Sequence, residues 1–114
     1  MRRTAFILLV LGLALPAQAM SVAEFLGKAD ALYAKGMMAL FSPDIGVLKA
    51  EGLAATKQWR AQAHAPNACP PTSKLAITQS EFMAMVRAVP PERRATTTVA
   101  DAIVPTLNRR YPCR

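Results

Sequence analysis

Two cysteines and one histidine are the residues of this sequence whose types best suit nucleophilic or metal chemistry. Cys69 opens the run Cys69-Pro70-Pro71, His64 lies five residues before it, and Cys113 is followed only by one arginine. A cysteine nucleophile needs a free thiolate beside a base, and a structural zinc ion needs four ligands. These three residues are too few for a zinc site, so no metal or cofactor is expected. We predict His64 to be an exposed loop residue or a cation at a helix end.

Carboxylates and methionines are the other candidates for chemistry. The seven acidic residues are scattered along the chain, and no two stand out as the acid and base that a glycosidase needs. Methionines can bind copper, but Met37-Met38 and the pair Met83/Met85 lie in or beside helical apolar stripes, where core packing is the simpler interpretation. The sequence therefore predicts that the protein is not an enzyme.

Residues 1–19 have the three parts of a secretory signal peptide. Arg2-Arg3 is the positive region, residues 5–15 form an apolar run, and residues 17–19 are an A-x-A cleavage site. The apolar run is shorter than the ~20 residues of a membrane span, although an uncleaved anchor is the alternative. We expect a periplasmic domain of residues 20–114 that does not span a membrane.

Export bears on both the charge and the cysteines of the mature chain. Cleavage between Ala19 and Met20 leaves twelve basic and seven acidic side chains, a net charge of +5. Two cysteines in an exported chain most simply form a disulfide, and closing the ring from Cys69 to Cys113 would stabilise the fold by about 4 kcal/mol. A disulfide between two chains is the alternative.

Hydrophobic periodicity predicts an all-α domain of four helices. Three helix starts carry a capping box or a similar pair, in which a hydroxyl accepts from a backbone N–H of the first turn: Ser21/Glu24, Thr78/Glu81 and Thr98/Asp101. Helix one is predicted over residues 22–41, because one apolar stripe continues through Val22, Phe25, Leu26, Ala29, Leu32, Tyr33, Met37, Leu40 and Phe41.

The other three helices follow from the same pattern. Helix two, to about residue 63, should form a hairpin with helix one and carry inward Ile45, Leu48, Gly52, Leu53, Thr56 and Trp59. A proline-rich loop over residues 64–77 precedes helix three, which carries Phe82, Met85, Val86 and Val89. Helix four buries Val99, Ala102, Ile103 and Leu107, and Pro105 within it should cause a kink or a break. Helices three and four lie within the cysteine ring.

Basic residues gather in the last third of the chain. They are Arg87, Arg93, Arg94, Arg109 and Arg110. They could form one positive face for an acidic partner or an anionic envelope surface, or they could be a solvated surface without a binding role. Nucleic acid is not an expected partner, because the chain is exported and has few aromatic residues for base stacking.

The C-terminal half contains a series of short motifs. They are Cys69-Pro70-Pro71, a helix carrying Phe82 and Met85, Pro90, and a last helix that closes with Leu107 and Tyr111-Pro112-Cys113. In this series the chain resembles the Rap1a/Tai immunity proteins. The resemblance implies a small periplasmic helical protein that neutralises a peptidoglycan amidase toxin of type VI secretion, and family members often act as dimers. The N-terminal half departs from the family, because residues 20–68 contain no cysteine.

Two functions follow from these observations. The first is an immunity-type protein that binds an amidase effector and blocks its cleft, with a homodimer among the expectations. The alternative is a non-enzymatic accessory protein of the cell envelope that uses its arginines on an anionic envelope component or a partner protein.

Overall fold

A computed structural model of the chain describes residues 19–114, so the predicted signal peptide lies outside the described residues except for Ala19. Over this range the fold is all-α, without a β-strand, as the sequence predicts. The helices are α1 (Val22–Lys35), α2 (Asp44–Gln62), α3 (Gln79–Arg87) and α4 (Val99–Arg110). Two 3₁₀ helices, Gly36–Phe41 and Pro91–Arg93, lie between α1 and α2 and between α3 and α4.

The predicted capping residues begin three of the four helices. Ser21 Oγ accepts from the backbone N–H of Glu24 at 3.1 Å. Thr78 and Thr98 accept in the same way, each at 3.1 Å, at the starts of α3 and α4. Each bond satisfies one of the backbone donors that a helix start leaves without an intrahelical partner.

The core lies between the two pairs of helices, and α4 makes its largest contact with α2. All four helices and the loop after α2 contribute buried side chains. They are Val22, Phe25, Leu26 and Ala29 of α1, Ala55 and Trp59 of α2, Ala68 of the loop, Met85 and Val86 of α3, and Val99, Ala100, Ile103 and Leu107 of α4. Burying one large apolar side chain contributes about 1.5–3 kcal/mol to stability. The burial of these side chains therefore stabilises the packing of the four helices.

The prediction of one continuous helix over residues 22–41 is wrong. Gly36 has a φ of 56° and ends α1, and the following residues form a 3₁₀ helix without a buried side chain. Consequently Tyr33, Met37, Leu40 and Phe41, which the apolar stripe placed in the core, are exposed. A stripe reports where a helix could pack, but within residues 19–114 the second half of this one contributes no side chain to the core.

The structure corrects the prediction for Leu53 in α2, and it shows that Pro105 does not end α4. Leu53 was predicted to point inward and is 71% exposed, whereas Ala55 is buried in α2. Pro105 lies inside α4 and is exposed, and the helix continues beyond it to Arg110. The buried neighbours Ile103 and Leu107 hold this helix on the core on both sides of the proline.

The start of the domain is fixed to the start of α4. An isolated antiparallel bridge joins Ser21 to Thr98. The N–H of Val22 donates to the carbonyl of Thr97 at 2.8 Å, and the N–H of Val99 donates to the carbonyl of Met20 at 3.0 Å. The first described residues are therefore part of the fold and not a trailing end.

Candidate functional site

The two cysteines form a disulfide within the chain. The Cα atoms of Cys69 and Cys113 are 4.9 Å apart, and the N–H of Cys69 donates to the carbonyl of Tyr111 at 3.0 Å. This confirms the predicted ring and decides against a bond between two chains. Because both sulfurs are bonded, neither provides the free thiolate that cysteine nucleophiles require.

His64 lies in an exposed segment beyond the end of α2. Its Nδ1 is 2.8 Å from the carbonyl oxygen of Gln62. It lines a shallow open cleft of about 170 Å³ with Trp59, Gln62, Ala63, Asn67, Val104 and Asn108. Small-molecule sites usually enclose ~300–1,000 Å³, and this lining holds no hydroxyl or second titratable side chain that could act with the imidazole. The cleft therefore has the means to hydrogen-bond a group but not to activate a nucleophile.

Carboxylates, histidine and cysteines also do not assemble into a metal site in the described part of the chain. Within residues 19–114 there is no cluster of three or more such side chains. The three ion pairs of this region use one acid and one base each: Lys28–Asp44, Arg87–Asp30 and Arg110–Glu81.

The five predicted arginines lie in two groups near opposite ends of α3. Arg87 and Arg94 lie at the C-terminal end, where Arg87 binds Asp30 at 2.7 Å. Arg94 donates to the carbonyls of Val89 and Arg87 at 2.9 and 3.0 Å. These two guanidinium groups therefore hold α3, the following turn and α1 together.

The second group lies near the N-terminal end of α3. Arg110 binds Glu81 at 2.6 Å and donates to the carbonyl of Ala76. Arg109 makes only a long contact of 3.4 Å to the hydroxyl of Thr106. Among the five arginines only Arg93, in the turn after α3, makes no side-chain hydrogen bond within residues 19–114, so Arg93 and Arg109 retain most of their hydrogen-bonding capacity.

Five exposed large apolar side chains that follow one another along the chain form a surface that we call the apolar tip. Its residues are Tyr33, Met37, Met38, Leu40 and Phe41, at the end of α1 and in the 3₁₀ helix that follows. Met37 and Phe41 are 83% and 82% exposed. Contiguous exposed patches of large apolar groups commonly mark an interaction site.

Local backbone chemistry holds the apolar tip in place. Gly36 adopts φ 56°, which favours glycine because other residues have a Cβ, and its N–H donates to the carbonyl of Tyr33. At the other end, the N–H of Ser42 donates to the carbonyl of Ala39 at 2.9 Å, and Ser42 Oγ accepts from the N–H of Asp44. Hydrogen bonds therefore fix the backbone both where α1 ends and where the chain continues into α2.

The base of the apolar tip is tied across the hairpin. Lys28 of α1 lies 3.7 Å from the carboxylate of Asp44, the first residue of α2. Between Tyr33 and Phe41 the only charged residue is Lys35, which has no ion-pair partner within the described residues. The tip is therefore an apolar surface with one free positive charge at its margin.

Sequence periodicity misses this surface, because Tyr33, Met37, Leu40 and Phe41 continue the stripe of α1, which predicts that they are core residues. One signal in the sequence could have identified it. Gly36 is followed by Met37, Met38, Ala39, Leu40 and Phe41, which are apolar at every position and not only on one side of a helix. A helix that buries one face has polar residues on the opposite face, and residues 37–41 include none.

No family model, curated protein or solved structure matches the chain. The resemblance of residues 69–113 to the Rap1a/Tai proteins therefore stays a prediction. Within residues 19–114, no helix has the length and apolar character needed to cross a membrane.

Proposed function

We propose that this protein is a non-catalytic binding protein of the immunity type, exported to the periplasm, where it neutralises a peptidoglycan amidase effector of type VI secretion. The observation that carries the proposal is the apolar tip, a group of large exposed side chains at the end of α1 and in the 3₁₀ helix that follows. The amidase as target comes from the resemblance of the cysteine ring to immunity proteins. The tip supplies the means of binding.

The apolar tip has the size and composition of an interface centre. Taking about 200 Å² for each large side chain, its five members present roughly 700 Å² of mostly apolar surface, close to the ~800 Å² that each partner contributes to a standard interface. Tyr33 and Phe41 are aromatic and Met37 and Met38 are adaptable, types enriched in interface centres. Such a surface can fill a cleft on a partner protein.

The charge around the tip indicates what kind of cleft it fits. Lys35 lies at the margin and has no ion-pair partner among residues 19–114, and the chain from Met20 onward carries a net charge of +5. An acidic rim around an apolar cleft on the partner would complement this charge and accelerate association, whereas a basic rim would oppose it. We therefore expect an effector whose active-site cleft is apolar at its centre and acidic at its edge.

The domain behind the tip provides the rigidity that an inhibitor needs. The Cys69–Cys113 disulfide and the buried contacts of α4 with α2 order the body before binding. Preorganisation preserves binding energy that would otherwise be lost in ordering the chain. An occluding protein then requires shape and apolar contact, and no reactive group of its own.

Two measurements test the proposal: whether the protein protects cells from the effector, and whether it binds the effector directly. A candidate amidase effector, encoded beside this gene, would be directed to the periplasm with and without the protein, and affinity would be measured with purified chains. We expect protection by the wild type and at least a tenfold loss of affinity in the double variant Met37→Ser, Phe41→Ser. The matched control is Leu53→Ser, because Leu53 is an apolar residue on α2 that is 71% exposed and lies outside the tip.

Three results would count against the proposal. They are absence of binding to the effector, absence of protection, and equal loss of affinity in the tip variant and in the Leu53 control. Size-exclusion chromatography of the free protein would show at the same time whether the tip joins two copies of the chain.

A second candidate function is supported by Arg93 and Arg109. Their guanidinium groups are exposed and make little use of their hydrogen-bonding capacity within the described domain, so they are suited to an anionic envelope component. The charge reversals Arg93→Glu and Arg109→Glu should then release the protein from envelope fractions, as added salt should. Lys57→Glu, an exposed charge reversal on α2, is the control. Salt-insensitive localisation would contradict this candidate.

A further inference from the structure

The backbone nitrogen of Met20 points at a carboxylate in the middle of α2. It donates to Glu51 Oε1 at 3.0 Å, across 31 positions of sequence, and both residues are half-buried. Neither α1 nor α2 requires this contact, because Met20 precedes the capping residue of α1 and Glu51 lies in the third turn of α2. A carboxylate held against one backbone N–H has bonding capacity to spare.

The same nitrogen belongs to the bond at which the signal peptide is predicted to be cut. Hydrolysis of the Ala19–Met20 bond consumes one water and leaves a carboxylate on Ala19 and an ammonium on Met20. The acceptor of Glu51 would then face a positively charged group with three donors in place of a neutral amide with one. The existing bond already has an ionised acceptor. Cleavage would ionise the donor as well, and so would add the Coulomb attraction between two opposite unit charges.

The surrounding structure keeps the new terminus at that position. Met20 accepts from the N–H of Val99, its neighbour Ser21 forms the bridge to Thr98, and its side chain packs on the core. Ala19 is exposed, whereas Met20 is half-buried. The predicted cleavage bond thus lies between an exposed residue and a half-buried residue that is hydrogen-bonded to the start of α4.

We infer that Glu51 is the receptor for the N-terminal ammonium group of the mature protein, so that signal removal itself stabilises the domain. The precursor lacks this ion pair and has the weaker fold, which suits a chain that must cross a membrane unfolded. The processed chain gains an ion pair that joins the starts of α1 and α4 to the centre of α2. This inference depends on cleavage after Ala19 and is independent of the partner that the apolar tip binds.

The experiment combines N-terminal mass analysis with a stability cycle. The mass of the protein recovered from the periplasm should correspond to a chain that begins at Met20. Denaturant unfolding would compare, with the disulfide intact, chains that begin at Met20 and at Ala17, each with Glu51 and with Glu51→Gln. Gln keeps the size and the acceptor oxygen of Glu, so all four chains are expected to fold.

We expect the chain that begins at Met20 to have an unfolding equilibrium constant about tenfold smaller than the chain that begins at Ala17. With Glu51→Gln this difference should disappear. Glu92→Gln, an exposed carboxylate in the turn after α3, is the control and should preserve it. Cleavage at another bond, equal stability of the two chain lengths, or an unchanged difference in Glu51→Gln would each overturn the inference.

Discussion

The indole N–H of Trp59 donates to Asn108 Oδ1 at 2.8 Å, joining α2 to α4 across 49 positions of sequence. Trp59 is buried and its ring lies 5.7 Å from that of Tyr111, two residues before Cys113. The hydrogen bond satisfies the only polar atom of the indole, so the largest side chain of the core is buried without an unpaired donor. The contact therefore joins the hairpin of α1 and α2 to the ring that the disulfide closes.

Asn108→Ala should destabilise the protein by about 1–2 kcal/mol, because it leaves a buried N–H without an acceptor. Asn108→Asp keeps an oxygen at the same place and is the control, with a smaller expected loss. Both can be measured by urea unfolding followed through Trp59, the only tryptophan of the sequence. Equal stability of Asn108→Ala and the wild type would show that water in the adjacent open cleft replaces the lost acceptor.

The Trp59–Asn108 contact shows which part of the structure the sequence could predict. Helix starts depend on residues three positions apart, and Ser21, Thr78 and Thr98 were predicted correctly as caps. The burial of Trp59 also followed from its place in the stripe of α2. Its partner could not be predicted, because a pairing across 49 positions depends on how two helices pack and not on either helix alone.

At the apolar tip the same kind of apolar pattern leads to a wrong prediction of burial. Phe25 and Phe41 both belong to the apolar stripe predicted for helix one, yet Phe25 is 3% and Phe41 is 82% exposed. Periodicity describes one helix and contains no information about whether another element covers it. Gly36 has open space around it: beyond its chain neighbours, no atom of the described residues lies within 4 Å of the position of a Cβ there, and its positive φ is what favours glycine.

Removing the disulfide should cost a large part of the total stability. Replacing both cysteines by serine opens a ring of 44 residue steps, and the chain-entropy relation gives a loss of about 4 kcal/mol. Urea unfolding of Cys69→Ser, Cys113→Ser measures this loss, and the wild type in reductant should reproduce it. If the oxidised and reduced wild type unfold at the same urea concentration, the ring does not brace the fold.

Two glycines should respond to alanine in opposite directions. Gly36→Ala places a Cβ on a backbone with φ 56° and should destabilise the protein by about 1–3 kcal/mol, although the space around it is open. Gly52→Ala should stabilise it by about 0.5–1 kcal/mol, because Gly52 is inside α2 and the new methyl group meets Phe82 at an ordinary 3.7 Å. Thermal unfolding monitored by circular dichroism distinguishes them. Two changes of the same sign would contradict the assigned backbone roles.

The apolar tip should be nearly irrelevant to stability, because its side chains have little contact to lose. Phe41→Ser should change the free energy of unfolding by less than about 0.5 kcal/mol, whereas Phe25→Ala, in the core beside Phe82, should cost about 3–5 kcal/mol. Chemical denaturation of both variants measures the contrast. A large loss in Phe41→Ser would mean that this ring supports the fold and is not available to a partner. A small loss together with lost effector binding would mean that its exposure serves recognition.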